Sequence, residues 1–304
     1  MSLKTTVLIT AYHRTYFLPH AVESIQRSSQ LPDEILVIED NPPYDTHGDL
    51  GGGELPVHRM NHRMPRIGQM LSEGIRLAKG DIILFLDDDD MFEPTKIKSA
   101  LGVFETHKSV TYYHNNPEWI DASGRLVPPP RWFNSIPKEG LCPRRARDLI
   151  RKGADKNLSS TAIRRQHYLP YIEFIDSIEG LTDVVVQWMG LMTNGEVWLD
   201  PSGLTRVRLH DRNTTTSQQF RDQAAAFSKM LKTMESLSAS NHEANRYARF
   251  YRAISKQRAA LAMGDARGVF ESSIRLSTLL DPYIVYDDLV HLIPRVIRRR
   301  LQST

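Results

Sequence analysis

Short apolar segments alternate with amphipathic ones along the first third of the chain, and this pattern predicts alternating strands and helices. Four segments are short and mostly apolar: TTVLITAY, EILVIED, LPVHRM and DIILFLD. Two others, TYFLPHAVESIQRSS and RIGQMLSEGIRLAKG, place apolar residues at helical spacing. Because apolar strands separated by helices are typical of parallel sheets covered on both faces, we expect an α/β fold with a mostly parallel sheet. Ligands of such sheets bind at the carboxyl ends of the strands.

The rest of the chain predicts further strands and then only helices. A helix follows Pro94, and the turn DASG separates two antiparallel strands. Further strands are expected in LSSTAIRR, EVWLD and LTRVRLH, and a helix in LTDVVVQWMGLMTNG. From Thr216 onward only helical patterns follow. The predicted organisation is a sheet-containing domain, residues 1–216, and an all-helical C-terminal extension, residues 217–304.

Composition narrows the class of protein without identifying it. Lys and Arg number 39 against 36 Asp and Glu, so the charge balance gives no reason to expect a nucleic-acid partner. The single cysteine, Cys142, excludes an internal disulfide and suits a reducing compartment. Neither a signal-peptide pattern nor a membrane-length apolar run is present. We therefore expect a cytoplasmic protein.

Four adjacent aspartates, Asp87 to Asp90, directly follow the apolar strand IILFL. Like charges on neighbouring residues raise one another's pKa unless something positive lies among them. Side chains alternate along a strand, so Asp87 and Asp89 would converge on one side and Asp88 would point away. Converging carboxylates suit Mg²⁺ or Mn²⁺ at a phosphate substrate. The alternative is a solvated acidic turn in which Asp90 helps to start the next helix.

Three segments in order resemble the motifs of a family 2 glycosyltransferase of the GT-A fold. VLITAYHR resembles the opening strand and turn, EILVIEDNPP the second strand with its acidic end, and FLDDDDMFEPTKI the aspartate motif with its following helix. The resemblance covers residues 4 to about 216. It implies transfer of a sugar from a nucleotide diphosphate sugar donor to an acceptor hydroxyl with inversion, assisted by Mn²⁺ or Mg²⁺.

The resemblance also implies which residues bind the nucleotide. Thr10, Ala11 and Tyr12 fall where the first strand meets the base. Asp40 falls where a carboxylate accepts a hydrogen bond from the base imide, which favours uracil or thymine and therefore a UDP- or dTDP-type donor. Arg66 matches a position where a basic residue lies near the base or diphosphate; the alternative is a solvated arginine at the start of a helix.

Metal and ribose contacts follow from the same resemblance. Asp88 corresponds to the ribose-facing member of the motif and Asp89 to the metal ligand, while Asp87 fits either group. His210 lies in VRLHDRNTTTS, which resembles the segment that delivers a metal- or diphosphate-binding histidine beside a hydroxyl-rich loop. A neutral imidazole is an acceptable ligand for manganese.

The resemblance also implies that Asp183 is the general base, and it lies at the start of a predicted helix where the dipole favours an ionised carboxylate. Glu179 and Asp176 in the preceding loop are the alternatives. The chain departs from the family pattern at Thr182, where a glutamate normally precedes the aspartate, and at Ser72 in the helix before the aspartate motif. These departures leave donor and acceptor recognition open.

Two other functions remain open at this stage. A nucleotidyltransferase also uses carboxylates and a divalent ion, but its glycine-rich signature is missing from TAYHRTYFLPH. A nucleotide-sugar-binding scaffold with a decayed active site is the non-enzymatic alternative.

The acceptor stays undefined, with glycan, lipid-linked and small-molecule classes all open. Its contacts are expected from residues 112–160, where Trp132 is a candidate aromatic contact. The basic, apolar segment YIVYDDLVHLIPRVIRRRL keeps a homodimer and peripheral contact with the inner membrane face as open alternatives to simple packing.

Overall fold

A computed structural model describes most of the chain. The described residues are 2–11, 16–40, 57–62, 64, 66–130, 133–154, 156–210, 224–263 and 265–279. The chain divides into two compact units. Unit 1 comprises residues 1–144 and 148–210, and unit 2 comprises residues 145–147 and 211–304. The boundary predicted near residue 216 lies outside the described residues and stays a prediction.

Unit 1 is built on one mixed sheet. Its strands are Thr5–Ala11 (β1), Glu34–Asp40 (β2), Val57–His62 (β3), Ile82–Asp87 (β4), Met91–Phe92 (β5), Val110–Ile120 (β6), Leu126–Val127 (β7), Gly140–Cys142 (β8), Thr161–Arg164 (β9) and Glu196–Arg208 (β10). The order across the sheet is β3-β2-β1-β4-β9-β6-β10-β5, with β7 beside β6 and β8 beside β10.

The first four strands are parallel, as the strand–helix alternation predicts. Thr10 of β1 aligns with Ile38 of β2 and with Asp87 of β4, so the carboxyl ends of the three strands lie together. This edge is where ligands of a parallel sheet bind. The register therefore brings the ends of the predicted nucleotide-binding strands beside the aspartate run.

The second half of the sheet departs from the simple parallel expectation. Strand β9 lies antiparallel between β4 and β6. The segments EVWLD and LTRVRLH form one strand, β10, instead of two. Its pairing with β6 shifts register around Asp200 to Gly203, because Pro201 cannot donate a ladder hydrogen bond. The turn DASG does separate an antiparallel pair, β6 and β7.

Helices cover the sheet on both faces. In unit 1 the helices are Leu18–Gln26 (α1), Ile67–Leu77 (α2), Lys96–Thr106 (α3), Ile172–Asp176 (α5) and Thr182–Met192 (α6). Helix Ala146–Arg151 (α4) crosses the boundary between the units, and Ala224–Leu237 (α7), His242–Met263 (α8) and Ala266–Leu279 (α9) belong to unit 2. Apolar side chains of α1 and α3 share a core cluster with Val7 and Ile9 of β1. A Cβ on Gly74 of α2 would lie 2.4 Å from Leu8 Cδ1, so α2 packs closely on the opposite face.

The described part of unit 2 consists of helices, in agreement with the predicted helical extension. Helix α8 packs against both α7 and α9. Leu231 and Met234 of α7 and Tyr247 of α8 are buried, and Gln257 Nε2 donates to Ser273 Oγ at 2.9 Å between α8 and α9. The predicted basic helix near the C-terminus lies outside the described residues. Among those described, no helix combines the length and hydropathy needed to span a membrane.

Candidate active site

The aspartate run forms a tight turn at the end of β4. The strand ends at Asp87, and the Asp90 amide donates to the Asp87 carbonyl at 3.2 Å. Asp88, Asp89 and Asp90 are all buried, so the run is not a solvated acidic surface. Burying adjacent carboxylates is costly unless they are hydrogen-bonded or neutralised. The turn therefore concentrates negative charge at the ligand-binding edge of the sheet.

Three carboxylates of this turn converge. Oxygens of Asp87, Asp89 and Asp90 lie within 4.8 Å of one another, which forms a potential metal-binding group within the described residues. Sequence alternation predicts the convergence of Asp87 and Asp89. Asp90 joins them because the chain turns instead of remaining extended. Burial, together with the charges of Asp89 and Asp87, raises the pKa of Asp90 well above its ordinary value.

His210 lies against this group. Its Nε2 is 3.0 Å from Asp89 Oδ2, and both side chains are almost fully buried. The imidazole also packs against Phe17, with the two ring centroids 5.5 Å apart. The structure thus brings together the two residues that sequence resemblance names as metal ligands. The hydroxyl-rich segment after His210 lies outside the described residues.

Arg208, which sequence reasoning missed, organises the same turn from β10. Its amide donates to Asp90 Oδ1 and its Nε to the Asp89 carbonyl, both at 2.9 Å. Its guanidinium carbon lies 4.3 Å from the centroid of the Phe17 ring. A cation stacked on an aromatic face and hydrogen-bonded to backbone oxygen has little freedom to move. Only its position two residues before His210 could have drawn attention to it.

Ser159 is a second residue that the sequence did not single out. It lies in the single helical turn Leu158–Ser160, just before β9. Its hydroxyl donates to Asp90 Oδ2 at 2.6 Å and accepts the Asp87 amide at 2.9 Å. One buried hydroxyl therefore contacts both the first and the last aspartate of the run.

The predicted nucleotide-binding residues lie at the ends of β1 and β2. Thr10 and Ala11 end β1, and Asp40 ends β2; all three are buried. Asp40 Oδ1 accepts the Met64 amide at 2.9 Å, which ties the end of β2 to the segment before α2. Tyr12 and the candidate acceptor contact Trp132 lie outside the described residues.

Arg66 contacts the end of helix α5, at Asp176. It precedes α2, and its Nε donates to the Asp176 carbonyl at 3.2 Å while Nη2 lies 3.4 Å from Asp176 Oδ2. Ser72 Oγ donates to the other carboxylate oxygen of Asp176 at 3.0 Å. Arg66 and Ser72 therefore both contact Asp176, an alternative candidate for the general base.

Asp183 lies in the first turn of α6, as expected. Its Oδ1 accepts the Val184 amide at 2.8 Å and its Oδ2 accepts the Asn157 amide at 3.3 Å. Burial raises the pKa of the Asp183 carboxyl, although the Val184 amide and the charge of Lys156 act in the opposite direction. A carboxylate with a raised pKa is a stronger base.

Backbone strain is concentrated around Asp183. Among the described residues, two that are not glycine have positive φ, Asn157 at 73° and Leu181 at 55°. One donates its amide to Asp183 and the other lies two positions before it. Such conformations cost about 1 to 3 kcal/mol each and persist where the surroundings impose them, often at functional sites.

The donor set of the aspartate turn fits a hard divalent cation. Carboxylate oxygens and one imidazole are ligands that Mn²⁺ and Mg²⁺ accept. A cation would also relieve the repulsion that raises the pKa of Asp90.

Comparison with known proteins agrees with this geometry. The family model described as Glycosyl transferase family 2 matches residues 6–167. The protein named Uncharacterized glycosyltransferase YwdF of Bacillus subtilis (strain 168) is 29% identical over 128 residues, which are 39% of this chain and 43% of that protein. The match thus spans less than half of that relative's length.

Solved structures share the fold over nearly the whole chain. Residues 1–349 of S. aureus TarS, in complex with UDP-GlcNAc, are similar with a TM-score of 0.62 at 13% identity, covering 99% of this chain and 93% of that one. The mannosyltransferase PcManGT from Pyrobaculum calidifontis, in complex with GDP-Man and Mn²⁺, has a TM-score of 0.56 at 13% identity, covering 100% and 88%. The expected GT-A fold with a helical C-terminal region is confirmed.

Proposed function

The chain belongs to glycosyl transferase family 2, and on this premise we propose that it is an inverting, metal-assisted glycosyltransferase. Its donor is a nucleotide diphosphate sugar, of the UDP or dTDP type, and its acceptor supplies a hydroxyl. The proposal rests mainly on the group formed by Asp87, Asp89, Asp90 and His210 at the carboxyl end of β4. UDP-GlcNAc bound to TarS and Mn²⁺ bound to PcManGT, both of similar fold, support it.

Donor recognition uses the ends of β1 and β2. Thr10, Ala11 and Tyr12 contact the base, and Asp40 accepts the hydrogen bond of its imide. A carboxylate accepts hydrogen bonds but donates none when ionised, so it matches the N–H that uracil and thymine present. Asp88 faces the ribose. Arg66 contributes positive charge on the base or diphosphate side.

The carboxylates of the turn and His210 hold the cation. Asp89 and His210 are the assigned ligands, and Asp87 and Asp90 complete the group. When bound, a divalent ion stabilises the negative charge that develops on the departing diphosphate. The chain itself supplies the fixed geometry, because Arg208 and Ser159 restrain the aspartate turn through backbone and carboxylate contacts.

Asp183 is the general base. Inversion requires a carboxylate on the acceptor side that takes the hydroxyl proton as the oxygen attacks the anomeric carbon. The Asn157 and Val184 amides orient this carboxylate, and burial raises its pKa, which favours proton uptake. Glu179 is exposed and Asp176 is engaged by Arg66 and Ser72, so both are less suited to the role.

Donor hydrolysis tests this function against the alternatives. With Mn²⁺ and a panel of UDP- and dTDP-sugars, a glycosyltransferase releases nucleoside diphosphate slowly without acceptor and faster with one. A nucleotidyltransferase instead releases pyrophosphate from a nucleoside triphosphate and a sugar phosphate. A protein that binds nucleotide sugars without releasing either product would be a binding scaffold.

A further inference from the structure

Lys96, the first residue of α3, is fully buried. Lysine is almost never fully buried unless it is paired, and a positive charge in the first turn of a helix opposes the helix dipole. Its Nζ lies over the rings of Tyr113 and Phe92, 4.9 and 5.7 Å from their centroids. Lys96 thus combines a buried charge with an unfavourable position on its helix. We therefore expect its ammonium to make stabilising contacts with the surrounding structure.

The Lys96 ammonium binds the turn of residues 157–160, which contacts the active site. Its Nζ donates to the Ser160 carbonyl at 3.0 Å and to Asn115 Oδ1. Asn115 Nδ2 donates in turn to Thr205 Oγ1 at 3.2 Å, and Thr205 Oγ1 donates to the Ser159 carbonyl at 3.3 Å. Lys96 therefore holds two successive carbonyls of this turn, one directly and one through two side chains.

This turn, residues 157–160, contacts both the proposed metal-binding group and the proposed general base. Through its hydroxyl, Ser159 contacts Asp90 and the Asp87 amide in the metal-binding group. Through its amide, Asn157 contacts Asp183. The turn is closed by the Ser160 amide, which donates to Asn157 Oδ1 at 2.9 Å. A displacement of the turn would move ligands of the cation and orienting contacts of the base together.

We propose that Lys96 is a positioning residue that holds the 157–160 turn, and through it the Asp87–Asp90 group and Asp183, in the arrangement used for transfer. The inference rests on the proposed function of that site and adds a residue which touches neither the donor nor the cation. Side chains that orient metal ligands typically change metal affinity by about 10- to 100-fold when they are removed. Lys96 should have an effect of that size although it is remote from the cation.

The test compares Lys96→Met with the parent and with Lys98→Met. Methionine keeps an unbranched chain and removes the donor, and Lys98 is an exposed lysine on the same helix. UDP binding is measured by calorimetry at a fixed Mn²⁺ concentration and without metal. We expect Lys96→Met to weaken Mn²⁺-dependent UDP binding about 10-fold or more. Lys98→Met should match the parent.

A double-mutant cycle with Ser159→Ala separates positioning from a general loss of stability. If Lys96 acts through the turn, Lys96→Met adds little to the loss already caused by Ser159→Ala. Multiplicative losses in the double variant would contradict the inference. Thr205→Val, which removes the relay to the Ser159 carbonyl, gives the same comparison if Lys96→Met does not fold.

Hydrogen exchange of the metal-free protein provides a readout that does not depend on the proposed function. Faster exchange of the Asp87 and Ser160 amides in Lys96→Met, but not in Lys98→Met, is the expected result. If the parent shows no Mn²⁺-dependent UDP binding, the metal-assisted function fails, and the exchange result alone decides whether Lys96 holds the turn. Exchange and Mn²⁺-dependent binding both equal to the parent's would overturn the inference.

Discussion

The imidazole Nε2 of His210 lies 3.0 Å from Oδ2 of Asp89, although 121 positions separate the two residues in the chain. The contact exists because β10 pairs antiparallel with β5, the two-residue strand that follows the aspartate turn. This pairing aligns Arg206 with Met91 and carries the end of β10 back beside the aspartates. The two predicted metal ligands are therefore joined by sheet pairing and not by a local motif.

Replacement of Asp89 with asparagine should abolish metal-dependent donor binding without unfolding the protein. The variant keeps the size of the side chain but loses the charge that holds a divalent cation. Calorimetry of UDP with Mn²⁺ measures the effect, and Glu105→Gln, an exposed change on α3, is the control. Unchanged Mn²⁺-dependent affinity in Asp89→Asn would remove Asp89 from the set of ligands.

Replacement of His210 with alanine should weaken the same binding by about 10- to 100-fold while sparing metal-free nucleotide binding. The imidazole is both a candidate ligand and a partner of Asp89, so its loss affects the cation in two ways. The exposed His58→Ala serves as the matched control. An equal loss of UDP affinity with and without Mn²⁺ would indicate a diphosphate contact instead of a metal ligand.

Replacement of Asp183 with asparagine should lower turnover by about 10²- to 10⁴-fold and leave donor affinity nearly unchanged. Asparagine can occupy the same place beside the Asn157 amide but cannot take the acceptor proton. Turnover at saturating donor and acceptor is the measurement, with Glu179→Gln compared in parallel. Parent-like turnover in Asp183→Asn together with a large loss in Glu179→Gln would assign the base to Glu179.

The pH dependence of turnover should report the same carboxylate. Because burial raises the pKa of Asp183, its reactive ionised form is lost as the pH falls through a value above that of an ordinary aspartate, about 3.9. We expect the acidic limb of the kcat profile to have its midpoint above that value. The residual activity of Asp183→Asn should lack this limb. A limb that persists in the variant would belong to another group.

Stability should depend on Lys96 in the neutral to alkaline range. Burial lowers the pKa of Lys96 to about 7, against an opposing effect of Asp200, while the Tyr113 ring faces its Nζ from β6. Below about pH 7 lysine is protonated in both the folded and unfolded states, and the penalty of burying the charge is fully present. Between about pH 7 and pH 10.4 the unfolded state binds more protons, so stability rises with pH, on the order of a few kcal/mol.

Urea unfolding at several pH values within this range measures that rise. Lys96→Met should lose it, because methionine does not titrate, whereas Lys98→Met should keep it. The same slope in Lys96→Met and the parent would mean that another group is responsible.

Local sequence pattern predicts much of the sheet and the position of the aspartates. The alternation of apolar strands with helices requires only burial and the two side-chain periods, which are properties of short windows. β1, β2 and β4 accordingly appear where TTVLITAY, EILVIED and DIILFLD predict them, and the run from Asp87 to Asp90 follows β4. The helical character after Thr216 is equally a property of local spacing.

The three-dimensional arrangement of the site was decided by tertiary structure. Asp90 joins Asp87 and Asp89 only because the chain turns after β4, whereas extended alternation pairs Asp87 with Asp89 alone. Ser159 reaches the turn from the helical turn just before β9, and Arg208 reaches it from β10; the register of both strands depends on pairing between distant strands. No local window contains that information, because strand order and register are set by which buried faces pack together across the whole sheet.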